Sequence, residues 1–272
     1  MTLFISLILF VYGTVFGSFL NVVIYRTPKK EQIVKGRSKC TDCGHTLAWY
    51  DLFPIFSWLF LRGRCRYCKT PISSRYAFVE SLCGLSYVWA FLTLNISINL
   101  AFALVLFPIL ICLSYFDIDS GEIEYWCPVS IGLLGMTAFI MSALSITQTP
   151  WYQHILGAVI ISVPFAILLL FGAMGGADVQ LMAAAGFLLG WKIIPAALIG
   201  IFLGAIFGIV FKATRKPQAQ TIYNEYDDDA DRDESPAKGT VIRFGPFLAF
   251  GIAVGFLHGD SIIGWYLSFM GM

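Results

Sequence analysis

The chain has 272 residues, of which 58% are hydrophobic and only 13% are charged, and its mean hydropathy is +0.76. A soluble domain carries about 25% charged residues, so the charge present here is too small to cover a water-facing surface, and a soluble globular protein is excluded. The formal net charge of +1 provides no basic excess for binding nucleic acid, and no nucleic-acid partner is expected.

Eight apolar segments are candidates for membrane spans, because about 20 apolar residues cross a bilayer as a helix. In chain order they cover residues 3–24, 77–94, 98–116, 127–144, 154–171, 179–190, 193–211 and 244–270. The sixth segment is short and rich in alanine and glycine, so it requires neighbouring helices rather than lipid around it. The pattern predicts an all-α polytopic membrane protein with about eight transmembrane helices.

These spans divide the chain into five parts. In order, they are a first transmembrane helix (1–25), a polar loop domain (26–76), a transmembrane core of about six helices (77–211), a charged loop (212–243) and a last transmembrane helix (244–272). Residues 218–238 of the charged loop are strongly acidic and almost without apolar side chains. This composition predicts a disordered, solvated linker.

Four of the seven cysteines form two Cys-x-x-Cys pairs in the loop domain, Cys40 with Cys43 and Cys65 with Cys68. The 21 residues between the pairs are close to the spacing of known zinc sites. Four thiolates complete a tetrahedral shell, so the pattern predicts a structural zinc that stabilises a small loop domain. His45 is nearby, but four cysteines already complete the coordination shell of zinc, so His45 is expected to be a surface residue. The other three cysteines lie in or beside apolar stretches and are expected to be small buried hydrophobic residues.

Two acidic residues at the edges of spans are candidates for catalysis. Asp117 follows the third span, and Asp178 follows a glycine-rich stretch after the fifth. Two carboxyl groups in a partly desolvated cleft share a proton, so that one is a base and the other a hydrogen-bond donor, as aspartic proteolysis requires. The alternative, that both simply lie at helix ends as caps, has equal weight. For Asp119, Glu122 and Glu124 the structural interpretation is preferred.

Lysine and arginine are distributed unevenly along the chain. Residues 26–75 hold 11 of the 18, and residues 212–243 hold another six. With eight spans, these two loops and the loops after the third and fifth spans share one face, which the positive-inside rule places in the cytoplasm. Asp117, Asp178 and the cysteine loop are therefore all expected at the cytoplasmic face.

Several motifs in a fixed order resemble the type IV prepilin peptidases, also called prepilin leader peptidase/N-methyltransferases. The motifs are GSFLNVVIYR at 17–26, the cysteine loop with WYD at 49–51 and PIS at 71–73, FDID at 116–119, MGGAD at 174–178 and GPF at 245–247. The MGGAD segment is similar to the GxGD signature of intramembrane aspartic proteases. The resemblance covers nearly the whole chain.

The resemblance implies an intramembrane aspartic endopeptidase of the bacterial cytoplasmic membrane, with Asp117 and Asp178 as its catalytic pair. It also implies binding or supporting roles for Glu80, Gly175 and Gly176. The implied substrates are prepilins and pseudopilins, cut on the cytoplasmic side after a short basic leader. Many members also methylate the new N-terminal amine with S-adenosylmethionine, and the cysteine loop is associated with that activity. A bifunctional enzyme in contact with membrane lipids is expected, and no motif indicates an oligomeric state.

The sequence departs from the family pattern at Ala177, where the family has glycine, and at Gln180, where lysine is usual. A methyl group at position 177 is compatible with the turn only if φ is negative there. These substitutions leave open an alternative function, a catalytically silent relative that binds or scaffolds pilin-like precursors. For Glu80 an ion pair with Arg75 is an alternative to a functional role.

Overall fold

The structure, a computed structural model, describes residues 1–147, 149–172, 174–214 and 243–271, and this part of the chain is built of α-helices joined by turns and loops. Nine α-helices are described there: α1 (Thr2–Arg26), α2 (Phe56–Phe60), α3 (Arg75–Leu94), α4 (Ile98–Ser120), α5 (Trp126–Ala143), α6 (Trp151–Leu170), α7 (Gly176–Leu189), α8 (Ile193–Thr214) and α9 (Gly245–Phe269). The expected all-α polytopic membrane fold is confirmed. The predicted acidic linker, residues 218–238, lies outside the described residues.

Seven helical segments of the described chain are long and apolar enough to span a membrane, and the longest, Gly176–Phe211, contains both α7 and α8. The two helices are separated by a 3-10 turn at Gly190–Lys192, where Gly190 has a φ of +59°. Only glycine adopts this conformation without strain, so the helix cannot continue through it. Among the described residues there are therefore eight separate apolar helices, in agreement with the eight spans that the sequence pattern predicts.

The contacts of α7 and α8 show that the chain reverses direction at this turn. Along α7, Gly186 packs on Gly157 and Gly190 packs on Gln153, so α7 runs antiparallel to α6. The Nζ atom of Lys192, the last residue of this turn, lies 2.5 Å from a carboxylate oxygen of Asp260 in the second half of α9.

Helix α8 then runs back along α9, with Gly200 against Leu248 and Gly204 against Phe244. We call the side of the membrane that carries residues 27–74 the loop face and the opposite side the far face. Helix α7 runs from the loop face to the far face, α8 returns, and α9 crosses again.

Helix α7 is short, with 14 residues that rise about 21 Å. Its buried side is made of small and aliphatic residues that pack against α5 and α6. A Cβ atom on Gly186 would lie 2.6 Å from the carbonyl oxygen of Gly157, closer than any real Cβ contact. The short span thus depends on close protein neighbours, as its composition predicts.

Helices α1 and α3 are the other closely packed pair. A Cβ on Gly13 would lie 2.8 Å from the Cα atom of Gly84, and a Cβ on Gly17 would lie 2.7 Å from the Cα atom of Glu80. Asn21 donates a hydrogen bond to the carbonyl oxygen of Tyr76 across the same interface, at 3.1 Å. These contacts hold the two helices that flank the loop domain in a fixed register.

Candidate active site and metal centre

Asp117 lies in the last turn of α4, at the loop face. The helix ends at Gly121, whose φ of +75° favours glycine. Asp117 is only 6% exposed, and its Oδ2 accepts a hydrogen bond of 2.8 Å from the backbone N–H of Gly245, the first residue of α9. Arg243 donates hydrogen bonds to the carbonyl oxygens of Asp117 and Ile118. We call these contacts from Arg243 and Gly245 the α9 clamp.

Asp178 lies in the first turn of α7, at the same face, and is half-buried. Its backbone N–H donates a hydrogen bond of 3.2 Å to the carbonyl oxygen of Gly175, and the helix N-terminus favours negative charge at this position. Both residues lie at helix ends, as the capping alternative requires, and both of these ends are at the loop face of the bundle. Their catalytic role stays a prediction.

The glycines before Asp178 leave open space beside it. A Cβ on Gly176 would meet no atom within 4 Å, and a Cβ on Gly175 would lie 3.6 Å from the Oδ2 atom of Asp178. Ala177 is within α7 and does not have a positive φ, so its methyl group fits the backbone without strain. The replacement of the family's glycine at this position therefore gives no structural reason for lost activity.

Three other acidic residues, Asp119, Glu122 and Glu124, follow Asp117 in the chain. Asp119 forms a bidentate ion pair with Arg75, with N–O distances of 2.7 and 2.5 Å, and the guanidinium of Arg75 lies 4.5 Å from the ring centre of Tyr115. Glu122 is exposed and Glu124 is half-buried. The structural interpretation preferred for these three acids agrees with their positions.

Glu80 is not paired with Arg75, so that alternative is wrong. Its carboxylate is buried between α1 and α3 and accepts a hydrogen bond of 2.7 Å from the backbone N–H of Ile55. Ile55 has a φ of +62°, a conformation that costs free energy in a β-branched residue. The buried carboxylate thus fixes a strained turn of the loop domain to the membrane helices.

The four cysteines of the loop domain converge on one point. Their sulfur atoms all lie within 4.8 Å of one another, and the Sγ atoms of Cys40 and Cys68 are 3.8 Å apart. Tetrahedral zinc with bonds of about 2.3 Å holds its sulfurs about 3.8 Å apart, so this donor set fits the metal. His45 stands outside the cluster, exposed and stacked on Tyr67. The four cysteines could hold a metal, as their spacing predicts.

Each Cys-x-x-Cys pair is built as a tight turn. The N–H of Cys40 donates to the carbonyl of His45 at 2.9 Å, and the N–H of Cys65 donates to that of Thr70 at 2.8 Å. Hydrogen bonds with Thr70 lower the pKa of Cys68 to about 6, which favours the thiolate form that binds metals. The three remaining cysteines, Cys83, Cys112 and Cys127, are buried in the helix bundle, which confirms their expected packing role.

Asp51 connects the second cysteine turn to the rest of the loop domain. Its side chain is 3% exposed and accepts hydrogen bonds from Arg66 at 2.6 Å, Tyr67 at 3.1 Å and the N–H of Ala48 at 3.2 Å. Burial acts to raise the pKa of Asp51, but the hydrogen bonds from Arg66, Ala48 and Tyr67 outweigh it and hold the pKa below its usual value. Asp51 is therefore a buried, ionised centre of the loop domain.

Sequence reasoning missed the α9 clamp and the bond between Glu80 and Ile55. The motif GPF at 245–247 includes Gly245, one of the two residues of the α9 clamp. Only the packing of α9 on α4 shows that the N–H of Gly245 donates a hydrogen bond to Asp117. The second involves a backbone N–H, which no side-chain pattern reveals. The sequence also contains a ten-residue apolar run at 52–61, within the loop domain, which is too short to be a membrane span.

Comparison with known proteins places this site among a group of membrane proteases. Residues 11–94 match a model described as the Bacterial Peptidase A24 N-terminal domain, and residues 104–209 match one described as the Type IV leader peptidase family. No solved structure matches the chain.

Curated relatives carry the name "Prepilin leader peptidase/N-methyltransferase". One from Myxococcus xanthus is 38% identical over 75% of this chain, and the aligned region spans 62% of that relative. One from Aeromonas salmonicida is 31% identical over 98% of this chain and 94% of the relative. One from Bacillus subtilis is 31% identical over 96% of this chain and 97% of the relative. The motif resemblance is thus confirmed across nearly the whole chain.

Proposed function

Because this chain belongs to the type IV leader peptidase family, we propose that it is a membrane-embedded aspartic endopeptidase that removes the short leader from prepilins or pseudopilins. The observation that supports the proposal is that Asp117 and Asp178 lie at the loop-face ends of α4 and α7, on one side of the helix bundle. Relatives that align over nearly the whole chain are named for this cleavage and for N-methylation.

In the proposed hydrolysis the two carboxyl groups share one proton, so that one is ionised and the other is protonated. The ionised carboxyl group takes a proton from a water molecule, whose oxygen then attacks the scissile carbonyl carbon. The protonated carboxyl group donates a hydrogen bond to the carbonyl oxygen, and the departing amine takes up a proton as the C–N bond breaks. The N–H of Gly245 donates a hydrogen bond to Oδ2 of Asp117, so Oδ1 is the oxygen that contacts water or substrate.

The open space at Gly175 and Gly176 is suited to an extended substrate backbone beside Asp178. A pilin-like precursor has an apolar stem. This stem would lie in the membrane when the peptide bond to be cleaved is positioned at the loop face. Glu80 supports the loop domain through Ile55 rather than touching the cleaved bond.

The cysteine cluster is the site of a structural zinc. Cys40, Cys43, Cys65 and Cys68 would hold the ion, which supplies folding energy to a loop with little hydrophobic core. The proposed second activity is transfer of a methyl group from S-adenosylmethionine to the new N-terminal amine. The relatives' shared name supports this activity, and the metal-stabilised loop is its proposed location.

The proposed location is the bacterial cytoplasmic membrane, with the loop face towards the cytoplasm. The support is the concentration of lysine and arginine on that face, 11 of 18 in residues 26–75. Surrounding lipids and pilin-like precursors are the proposed partners.

The test is intact-mass spectrometry of a pilin-like precursor incubated with the purified protein and S-adenosylmethionine. We expect the wild type to remove the leader, and Asp117→Asn and Asp178→Asn to leave the precursor uncut. Glu122→Gln is the matched control, an exposed carboxyl group at the same face, and it should cut at the wild-type rate. Cleavage that survives either aspartate substitution would reject the pair.

The methyl transfer is tested separately with a precursor already lacking its leader. One added methyl group is expected with the wild type and with Asp117→Asn, and none when Cys40→Ser and Cys65→Ser remove two metal ligands. If the wild type leaves all tried precursors uncut but binds them, the silent relative becomes the preferred function.

A further inference from the structure

The loop domain presents an exposed apolar surface. Residues 52–61, with the sequence LFPIFSWLFL, contain no charged or strongly polar side chain, and they include α2. Large side chains at the surface of this segment and the turn before it are Trp49, Phe53, Phe56, Leu59 and Phe60, the last of them 83% exposed. A water-soluble loop does not leave a contiguous aromatic surface in solvent, so this surface requires a partner.

The position of the segment relative to the spans is set by the hydrogen bond between Glu80 and Ile55. Glu80 is five residues into α3, about 7.5 Å along the helix from its start at Arg75. The N–H of Ile55 is 2.7 Å from Glu80, so the turn into α2 reaches the same level. Interfacial helices lie about 5–10 Å deep at the boundary of headgroups and acyl chains.

A positively charged pocket adjoins the apolar segment. Arg62, Arg64 and Lys69 line a pocket of about 370 Å³ together with Leu61 and Cys65. Arg62 and Arg64 follow the end of α2 closely, and Lys69, from the second cysteine turn, lines the same pocket. Phosphate groups of anionic lipids are found at this level of a bilayer, and each nearby basic residue contributes to their attraction.

We propose that residues 52–61 form an interfacial anchor that inserts its aromatic side chains into the lipid bilayer at the loop face. Arg62, Arg64 and Lys69 bind the phosphate of an anionic lipid headgroup beside it. A bilayer is preferred over a protein partner because the anchor is fixed to α1 and α3 at a depth where lipid surrounds the spans. Phe78, on α3 close to this level, is 60% exposed and so faces the same lipid.

The insertion is tested by replacing Phe60 with the photo-crosslinker p-benzoylphenylalanine in the full chain, reconstituted in nanodiscs of phosphatidylcholine and phosphatidylglycerol. After irradiation, peptide mass spectrometry should find a phospholipid adduct at position 60. The same replacement at Phe78 is the positive control, and at Val34, a 92% exposed loop residue, the negative control. An adduct at position 78 but not at position 60 would place the segment in water and overturn the proposal. A crosslink from position 60 to a second copy of the chain would also overturn it.

The headgroup site is tested by native mass spectrometry of lipid retention. The triple variant Arg62→Gln, Arg64→Gln and Lys69→Gln should retain phosphatidylglycerol less than the wild type by a factor on the order of 10 or more. The control triple variant changes three exposed cations that do not line this pocket, Lys30→Gln, Lys35→Gln and Arg37→Gln, and should retain phosphatidylglycerol normally. Equal loss in both variants would mean that only total charge matters, and no loss in the first would reject the site.

Discussion

At the scale of single residues, the orientation of Asp117 depends on a glycine in another helix. A Cβ on Gly245 would lie 2.8 Å from Oδ2 and 2.9 Å from Cβ of Asp117. We expect Gly245→Ala to push the carboxylate away and to lower kcat/KM for leader cleavage about 100-fold, since small misplacements of reacting groups have effects of this size.

The matched control is Gly264→Ala on the same helix, where a Cβ meets no atom within 4 Å. Both variants should keep the wild-type thermal stability within a few degrees. An active Gly245→Ala variant would show that the α9 clamp does not position Asp117.

Asp51 provides a second prediction at this scale. Asp51→Asn should speed zinc loss to a colorimetric chelator on the order of 10-fold, because it removes the ionised acceptor that holds Arg66 and Tyr67 beside the cysteines. Asp42→Asn, an exposed carboxylate in the first cysteine turn, should behave as the wild type.

In the folded protein the pKa of Asp51 is below its usual value of about 3.9. The ionised carboxylate therefore stabilises the loop domain fully above about pH 3.9, and this stabilisation is lost only as the pH falls through the lower, folded-state pKa. The ratio of the Asp51→Asn rate to the wild-type rate should therefore be constant between about pH 5 and 8. A ratio that changes across this range would contradict the ionised state assigned to Asp51.

The two carboxyl groups and the four cysteines were predictable from the sequence because charge in an apolar stretch and paired cysteines are rare patterns with few explanations. The partners of Asp117 were not predictable. Gly245 acts through its backbone N–H, and Arg243 stands after a long charged loop, so neither carries a local signal that points to α4.

At the scale of helices, the contact between α1 and α3 is made by glycines. Gly17→Leu should lower the free energy of unfolding by about 1–3 kcal/mol, because its side chain would meet the backbone of Glu80 at 2.7 Å or closer. Val15→Leu, at an exposed position of the same helix, is the control and should leave the unfolding temperature unchanged. The measurement is thermal unfolding in detergent, and equal unfolding temperatures for the two variants would contradict the close packing.

Helix positions were largely predictable from hydropathy, whereas helix ends were not. The third predicted span stops at residue 116, where the first charge appears, yet α4 continues to Ser120 and ends only at the left-handed Gly121. In the same way the sixth predicted span begins at residue 179, whereas α7 starts at Gly176 and includes Asp178. Hydropathy reports where the chain prefers lipid, and helix ends are decided by backbone conformation.

At the scale of the whole molecule, the turn at Gly190–Lys192 decides the number of crossings. A reporter enzyme that is active only outside the cytoplasm should be active when fused after Asn95, Ser145 or Trp191, and inactive after Gly121. The fusion after Trp191 is the decisive one, because a continuous span over Gly176–Phe211 would place it inside the membrane. Inactivity at that position, with activity after Asn95 and Ser145, would reject the eight-span topology.

The α9 clamp also has a consequence for the order in which the protein is made. Asp117 and Asp178 are both synthesised and inserted before Arg243 and Gly245 leave the ribosome. A chain interrupted within residues 212–242 therefore carries both aspartates in the membrane but lacks the donor that orients Asp117. With the proposed catalytic pair, such an incomplete chain is expected not to cut other membrane proteins, because the proposed site is complete only when the last helix is in place.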